Sequence, residues 1–71
     1  HKCSLSCIPI IIGNENIETT ASLDRINSNI GYIEGNVQWV HKDVNQMKWA
    51  FDENYFINLC HAISRNKYKN G

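Results

Sequence analysis

Residues 20–48, TASLDRINSNIGYIEGNVQWVHKDVNQMK, decide the fold of this chain. The β-branched and apolar residues of 19–26 predict a strand, and the compact run 37–41, VQWVH, predicts another. Just before that run, Gly35-Asn36 is typical of the tight turn that starts a strand. The stretch therefore predicts two strands that are close in sequence and joined by loops and turns.

Two helices are predicted after the second strand. Asp43 is a good N-cap, and the first helix is expected to run from about this residue through Lys48. Asp52 is expected to cap the final helix, with Glu53 favourably placed in its first turn. Apolar side chains recur at helical spacing in that helix and are expected to form a buried stripe: Phe56, Leu59, Cys60 and Ile63.

The first dozen residues predict an extended edge strand, because isoleucines surround Pro9 and a proline is excluded from a helix interior. The chain as a whole therefore has the pattern of an α+β domain. Its large aromatic side chains are expected mostly in the core of so small a domain, although they could instead stack on nucleic-acid bases. They are Trp39, Trp49, Phe51 and Tyr55.

The length and the charge of the chain limit the class of protein. The 71 residues allow one domain, residues 1–71, and the start at His1 is interpreted as the downstream part of a longer protein. Seven basic and seven acidic residues cancel, so the net charge gives no support for nucleic-acid binding. Arg65, Lys67 and Lys69 make the end locally basic, which is interpreted as a solvated end rather than an arm that contacts phosphate.

Cysteine usage and hydropathy bear on location. No apolar run is long enough to cross a bilayer, so no membrane partner is expected. Cys3, Cys7 and Cys60 are odd in number and lack the regular spacing of a secreted disulfide scaffold. A reducing, cytoplasmic location is therefore expected.

The stretch quoted above resembles the HNH nuclease family, in the subgroup that combines S-L-D-R-I, a G-Y turn, G-N-V-Q-W-V-H-K and a helix with N-x-M-K. The resemblance implies a small ββα-metal domain, in which an antiparallel hairpin packs on a short helix, here with a further C-terminal helix. It also implies a metal-dependent endonuclease that hydrolyses phosphodiester bonds, with DNA the expected substrate and RNA not excluded. One divalent cation, Mg²⁺ or Mn²⁺ rather than zinc, is the implied cofactor.

The resemblance also implies the residues of the site. Asp24 would be a carboxylate ligand of the cation, and Asn45 would add a neutral carbonyl oxygen. Asn36, the middle residue of the motif, belongs to the same catalytic set and would brace the loop between the strands. An Asp24→Ala variant is then expected to lose cleavage while the fold stays nearly intact.

The sequence departs from the better-known pattern at Arg25, where the family usually has the histidine that activates water. An arginine stays protonated and cannot be a general base, but it can bind a phosphate oxygen. His41 is therefore the candidate base, or alternatively a metal ligand. Lys42 and Lys48 flank the expected site and could anchor neighbouring phosphates.

Two other readings of the sequence stay open. One is a nucleic-acid-binding module that keeps the fold but has lost catalysis. The arginine at position 25, where the family usually has a histidine, leaves this alternative open. The other is a zinc-stapled structural domain that uses Cys3, Cys7, His41 or Cys60, and it predicts unfolding by a chelator. The sequence does not choose between DNA and RNA, and it leaves the oligomeric state open.

Overall fold

The structure, a computed structural model, describes residues 1–68 and is a small α+β domain. Two strands come first, β1 (Ala21–Arg25) and β2 (Val37–His41), followed by two helices, α1 (Lys42–Lys48) and α2 (Glu53–Tyr68). The α+β class and the order of these four elements are confirmed. Lys69, the last residue of the predicted basic end, lies outside the described residues.

The strands β1 and β2 form an antiparallel hairpin whose register runs from Ala21 opposite His41 to Arg25 opposite Val37. Opposed residues in such a pair project from the same face of the sheet, and successive residues alternate between faces. One face therefore carries Ser22, Asp24, Gln38 and Val40, and α1 packs on that face. The layout is consistent with a ββα arrangement.

The predicted edge strand in the first dozen residues does not form. The segment instead makes an isolated bridge between Lys2 and Pro9, and it is fastened to the hairpin by single backbone hydrogen bonds such as that from Ser4 N to Trp39 O, 2.9 Å. Proline has no N–H to donate to a ladder, which limits regular pairing here. The segment still contributes Cys3 and Ile10 to the apolar core.

The core is thin. Its main cluster consists of the buried Cys3, Ile10 and Val40, with Leu5, Ala21 and Val44 packed around them, and Phe56 is buried separately. The domain measures 44 × 31 × 15 Å, so its short dimension leaves room for little more than one helix on one hairpin. Its radius of gyration of 13.8 Å exceeds the value of about 11 Å expected of a compact chain of this length.

Both helix starts show how side chains satisfy free backbone N–H groups. The α1 helix begins at Lys42, with His41 rather than Asp43 as its N-cap. Asp52 caps α2 as predicted, since its Oδ2 accepts a hydrogen bond of 3.2 Å from the backbone N of Tyr55. Neither helix in the described part of the chain is long and apolar enough to cross a membrane.

The expected burial of apolar side chains on α2 and nearby is mostly wrong. Phe56 is buried and Cys60 is half-buried, but Leu59 and Ile63 are exposed. The large aromatic residues that were expected in the core are exposed as well, namely Trp39, Trp49, Phe51 and Tyr55. A layer this thin has too little interior to cover them.

Gly13 allows a close backbone approach in the loop before β1. A Cβ atom there would overlap the carbonyl oxygen of Ile17 and lie 2.5 Å from the backbone N of Thr19. We therefore expect Gly13→Ala to lower the free energy of unfolding by about 1–3 kcal/mol. The matched control is Gly31→Ala, because a Cβ at Gly31 would meet nothing within 4 Å. Urea unfolding followed by circular dichroism compares the two, and equal midpoints would contradict the close approach.

Candidate functional site

The centre of the candidate site is an ion pair between Asp24 on β1 and Lys48 at the end of α1. The ammonium nitrogen Nζ of Lys48 lies 3.1 Å from Oδ1 and 3.0 Å from Oδ2 of Asp24. Nζ also donates a hydrogen bond of 2.8 Å to the backbone oxygen of Arg25. Three acceptors match the three protons of an ammonium group, so the charge of Lys48 is fully coordinated by protein.

This ion pair belongs to a network that joins all four elements. Gln38 on β2 donates from Nε2 to Oδ2 of Asp24, 2.9 Å away, and to Oε1 of Glu53 at the start of α2, 2.8 Å away. Because Asp24 lies on β1 and Lys48 on α1, the network connects the hairpin to both helices. Each buried polar side-chain atom in the described residues has a hydrogen-bond partner, as a polar network in a thin core requires.

The burial of Lys48 corrects its predicted role. The residue has 0% of its surface exposed, and Asp24 has 4%. An ammonium group without exposed surface that is already bound by three protein oxygens cannot contact a phosphate. Lys48 therefore does not present a nucleic-acid contact in this arrangement.

The residues do not fit a divalent cation as they are arranged. The Lys48 ammonium faces both oxygens of the Asp24 carboxylate, so it lies where a cation shared by those oxygens would be bound. Mg²⁺ usually keeps several of its water ligands, and a carboxylate that is 4% exposed leaves little room for them. A second positive charge beside a buried ammonium would also be repelled.

Asn45, the other predicted ligand, lies on the same side of the hairpin. Its amide nitrogen donates to the hydroxyl oxygen of Ser22, 2.6 Å away, and Ser22 shares its strand face with Asp24. Asp24 and Asn45 therefore lie on the same side of the hairpin, and their shared binding of a metal ion stays a prediction. The group that joins the carboxylate to α1 is nevertheless the Lys48 side chain, which lies about one helical turn after Asn45.

His41 is placed away from Asp24. The hairpin register puts it three residue pairs from the Asp24–Gln38 pair, a separation of about 10 Å along the strand, and on the alternate face. Its Nδ1 accepts a hydrogen bond of 3.1 Å from the backbone N of Asp43. A neutral imidazole then carries its proton on Nε2, so neither nitrogen has an unused lone pair for a general base. In this structure His41 caps α1, and its role as general base or metal ligand stays a prediction that this placement does not support.

Arg25 lies at the end of β1, near the loop between the strands. Its guanidinium carbon is 5.3 Å from the centroid of the Tyr32 ring, which is a cation–π contact. Tyr32 itself is exposed, so the pair forms a cationic and aromatic surface at this end of the hairpin. Lys42 lies at the other end of the hairpin, and its exposed ammonium group is 3.7 Å from the Glu18 carboxylate.

Asn36 braces the loop between the strands, as the family resemblance implied. Its Oδ1 accepts from the backbone N of Asn27 at 2.9 Å. Its Nδ2 donates to three backbone oxygens, those of Asn27, Ile30 and Gly31, at 2.9–3.2 Å. The side chain is buried, and all its hydrogen bonds go to backbone. Its role in this structure is to fix the loop, since its side-chain hydrogen bonds go to the backbone of Asn27, Ile30 and Gly31.

The described residues do not bring together a set of ligands for the zinc-stapled alternative. Within residues 1–68, no group of three or more His, Cys, Asp or Glu side chains could hold a metal ion.

Burial, the largest single influence, raises the pKa of the Cys3 thiol, but hydrogen bonds from Ser6 and from the backbone of His41 and Leu5 together outweigh it. The net pKa of Cys3 is therefore lower than that of an ordinary cysteine.

The exposure of Trp49 and its backbone conformation near the site were not predicted from the sequence. Trp49 ends α1 with a φ of 51° and a ψ of −126°, and it is 74% exposed. Its ring makes an edge contact with Phe51, which in turn contacts Tyr55. Helices commonly end at a glycine, because glycine adopts a positive φ without strain. The absence of a glycine after Lys48 was the feature of the sequence that could have indicated a strained helix end. We call Trp49, Phe51 and Tyr55 the aromatic cluster.

Comparison with known proteins adds no assignment. The chain matches no protein-family model, and neither a curated protein nor a solved structure matches it.

Proposed function

We propose that this chain is a nucleic-acid-binding module with a ββα layout that binds without cleaving. The observation that carries the proposal is the closed Asp24–Lys48 ion pair, in which a side chain of the protein supplies the positive charge that a metal ion would bring to a nuclease. Arg25 in place of the usual histidine of the HNH pattern points the same way, because an arginine cannot accept a proton.

The capacity to bind is attributed to Arg25 and the exposed groups around it. A guanidinium group matches the geometry of a phosphate and can bind it with paired hydrogen bonds. The Tyr32 ring lies against this guanidinium and limits its freedom, so less entropy is lost when a phosphate binds. Lys42 can add a second phosphate contact, because its surface pair with Glu18 is weak.

The second candidate function is a metal-dependent endonuclease of HNH type. It is favoured by one observation, namely that Asp24 and Asn45 lie on the same side of the hairpin. Cleavage by this route would require the Lys48 ammonium to leave the Asp24 carboxylate before a cation binds. A nicking assay on supercoiled plasmid with Mg²⁺, Mn²⁺ or EDTA distinguishes the two candidates. Metal-dependent nicking that is lost in Asp24→Asn would contradict the binding-only proposal.

Binding itself is tested with short labelled DNA and RNA oligonucleotides by fluorescence anisotropy in EDTA. We expect Arg25→Ala to raise the Kd by about ten-fold, because a charge-assisted hydrogen bond to phosphate is lost. Arg65→Ala is the matched control, since it removes an exposed arginine from α2. Equal losses in the two variants would assign the binding to general charge, and no binding by the unmodified chain would contradict the proposal.

A further inference from the structure

We propose that Trp49 is the main element of a stacking site for one unpaired nucleobase, formed by the aromatic cluster. The inference rests on the proposed nucleic-acid-binding function and names the part of the nucleic acid that this end of the domain contacts. It is carried by the backbone at Trp49, the exposure of the cluster and its position beside Arg25.

The backbone at Trp49 is unfavourable for a tryptophan. The backbone N of Phe51 donates to the carbonyl oxygen of Lys48, 3.0 Å away, which closes a four-residue turn. In this turn Trp49 is the first central residue, and its φ of 51° and ψ of −126° are those of a type II′ turn. Glycine dominates that position because a Cβ atom is strained there. A bulky residue at such a position is a genuine outlier.

The fold does not explain the tryptophan at this position. A tryptophan stabilises a fold mainly by burying its large apolar side chain, but Trp49 is 74% exposed. Its contact with the described residues includes an edge-on approach to Phe51, with ring centroids 5.9 Å apart and planes at 84°. This single contact covers little of the indole ring, since Trp49 stays 74% exposed. An exposed aromatic ring that costs backbone strain is better explained by a ligand than by stability.

The cluster has the chemistry of a base-stacking surface. Phe51 and Tyr55 extend it, with centroids 5.3 Å apart, and they are 38% and 52% exposed. Aromatic faces of this kind stack on nucleobases without regard to sequence, because every base has a π face. Asp52 lies between these two rings in the sequence, and its negative charge favours a neutral base over a phosphate at this point.

The phosphate contact can come from the neighbouring Arg25. The loop that follows β1 is joined to the turn at Trp49 by a hydrogen bond of 2.9 Å from Ser28 Oγ to the carbonyl oxygen of Ala50. Lys48, which precedes Trp49, binds the backbone oxygen of Arg25. The Arg25–Tyr32 pair and the aromatic cluster therefore lie at the same end of the hairpin. An unpaired nucleotide fits this arrangement, whereas a base inside a duplex cannot expose its face.

The test compares two variants of Trp49 in the full chain. Trp49→Gly removes both the ring and the strain, so we expect its thermal midpoint Tm to rise by about 4–8 °C while the Kd for a single-stranded oligonucleotide rises about ten-fold. Trp49→Ala removes the ring but keeps the Cβ, so we expect the same loss of affinity without the gain in Tm. Trp39→Ala, which removes the other exposed indole from the sheet, is expected to bind as the unmodified chain does.

The outcomes separate the two proposals. The unmodified chain is expected to bind the single strand more tightly than a blunt duplex of the same sequence. If it binds nucleic acid and Arg25→Ala weakens that binding, but both Trp49 variants bind normally, the stacking site is wrong and the proposed function stands. Equal loss of affinity in Trp39→Ala and Trp49→Ala would also overturn the stacking site. No binding of either strand form by the unmodified chain would overturn both proposals.

Discussion

Lys48→Met is expected to lower the free energy of unfolding by about 3–5 kcal/mol, because it leaves the buried carboxylate of Asp24 without its charged partner. Methionine replaces the aliphatic part of the lysine side chain with similar volume, so little of the effect would come from a cavity. Small domains commonly have a total stability of only about 5–15 kcal/mol. The variant should therefore unfold at much lower urea concentration, which circular dichroism measures directly.

Two control variants test whether the loss of stability comes from the buried ion pair. Lys42→Met removes an exposed lysine and is expected to change stability by less than about 0.5 kcal/mol. The double variant Asp24→Leu with Lys48→Met removes both charges and should recover most of the loss, since apolar replacement of a buried pair is often neutral or stabilising. A single Lys48→Met variant as stable as the unmodified chain would mean that the ammonium group is not buried against Asp24.

The same ion pair changes how any variant of Asp24 must be interpreted. The expectation that Asp24→Ala leaves the fold nearly intact does not agree with the structure, because the substitution would strand a lysine that has 0% of its surface exposed. A loss of activity in that variant would then report unfolding as well as any change in chemistry. Asp24→Asn keeps the shape and one acceptor oxygen but also removes the negative charge, so functional assays of this variant need its unfolding curve measured alongside.

Local rules were sufficient to predict the two strands of the hairpin and the start of the last helix. Residues that favour strands are separated by Gly35, whose φ of 88° allows the turn closed by the bond from Asn36 N to Ile33 O. The carboxylate of Asp52 is the kind of side chain that caps helices. These features depend on residues that are close in sequence, so the sequence alone carries them.

The site could not be predicted in the same way, because its geometry depends on contacts between distant residues. Lys48 and Asp24 are 24 positions apart, and only the packing of α1 on the hairpin brings them together. The sequence showed a lysine at a helix end, which usually faces solvent. The prediction that the residues of the aromatic cluster are buried was wrong for a related reason, because the thickness of the core is a property of the whole fold.

Asn36→Ala is expected to lower the free energy of unfolding by about 2–4 kcal/mol, because one buried side chain satisfies a backbone N–H and three backbone oxygens. Removing it leaves those groups without partners unless water enters the loop. The loop then loses the connection that holds residues 27–31 against the start of β2. Urea unfolding measures the stability, and hydrogen exchange at the amide of Asn27 reports the loop directly.

Asn36→Asp separates the hydrogen bond that the Asn36 side chain accepts from those that it donates. The aspartate can still accept from the amide of Asn27, but it cannot donate to the oxygens of Ile30 and Gly31. We therefore expect an effect at least as large as that of alanine, because a buried negative charge would face those oxygens. Asn29→Ala, an exposed asparagine in the same loop, should be close to neutral. If Asn29→Ala and Asn36→Ala lowered stability equally, the buried amide would not be what fixes the loop.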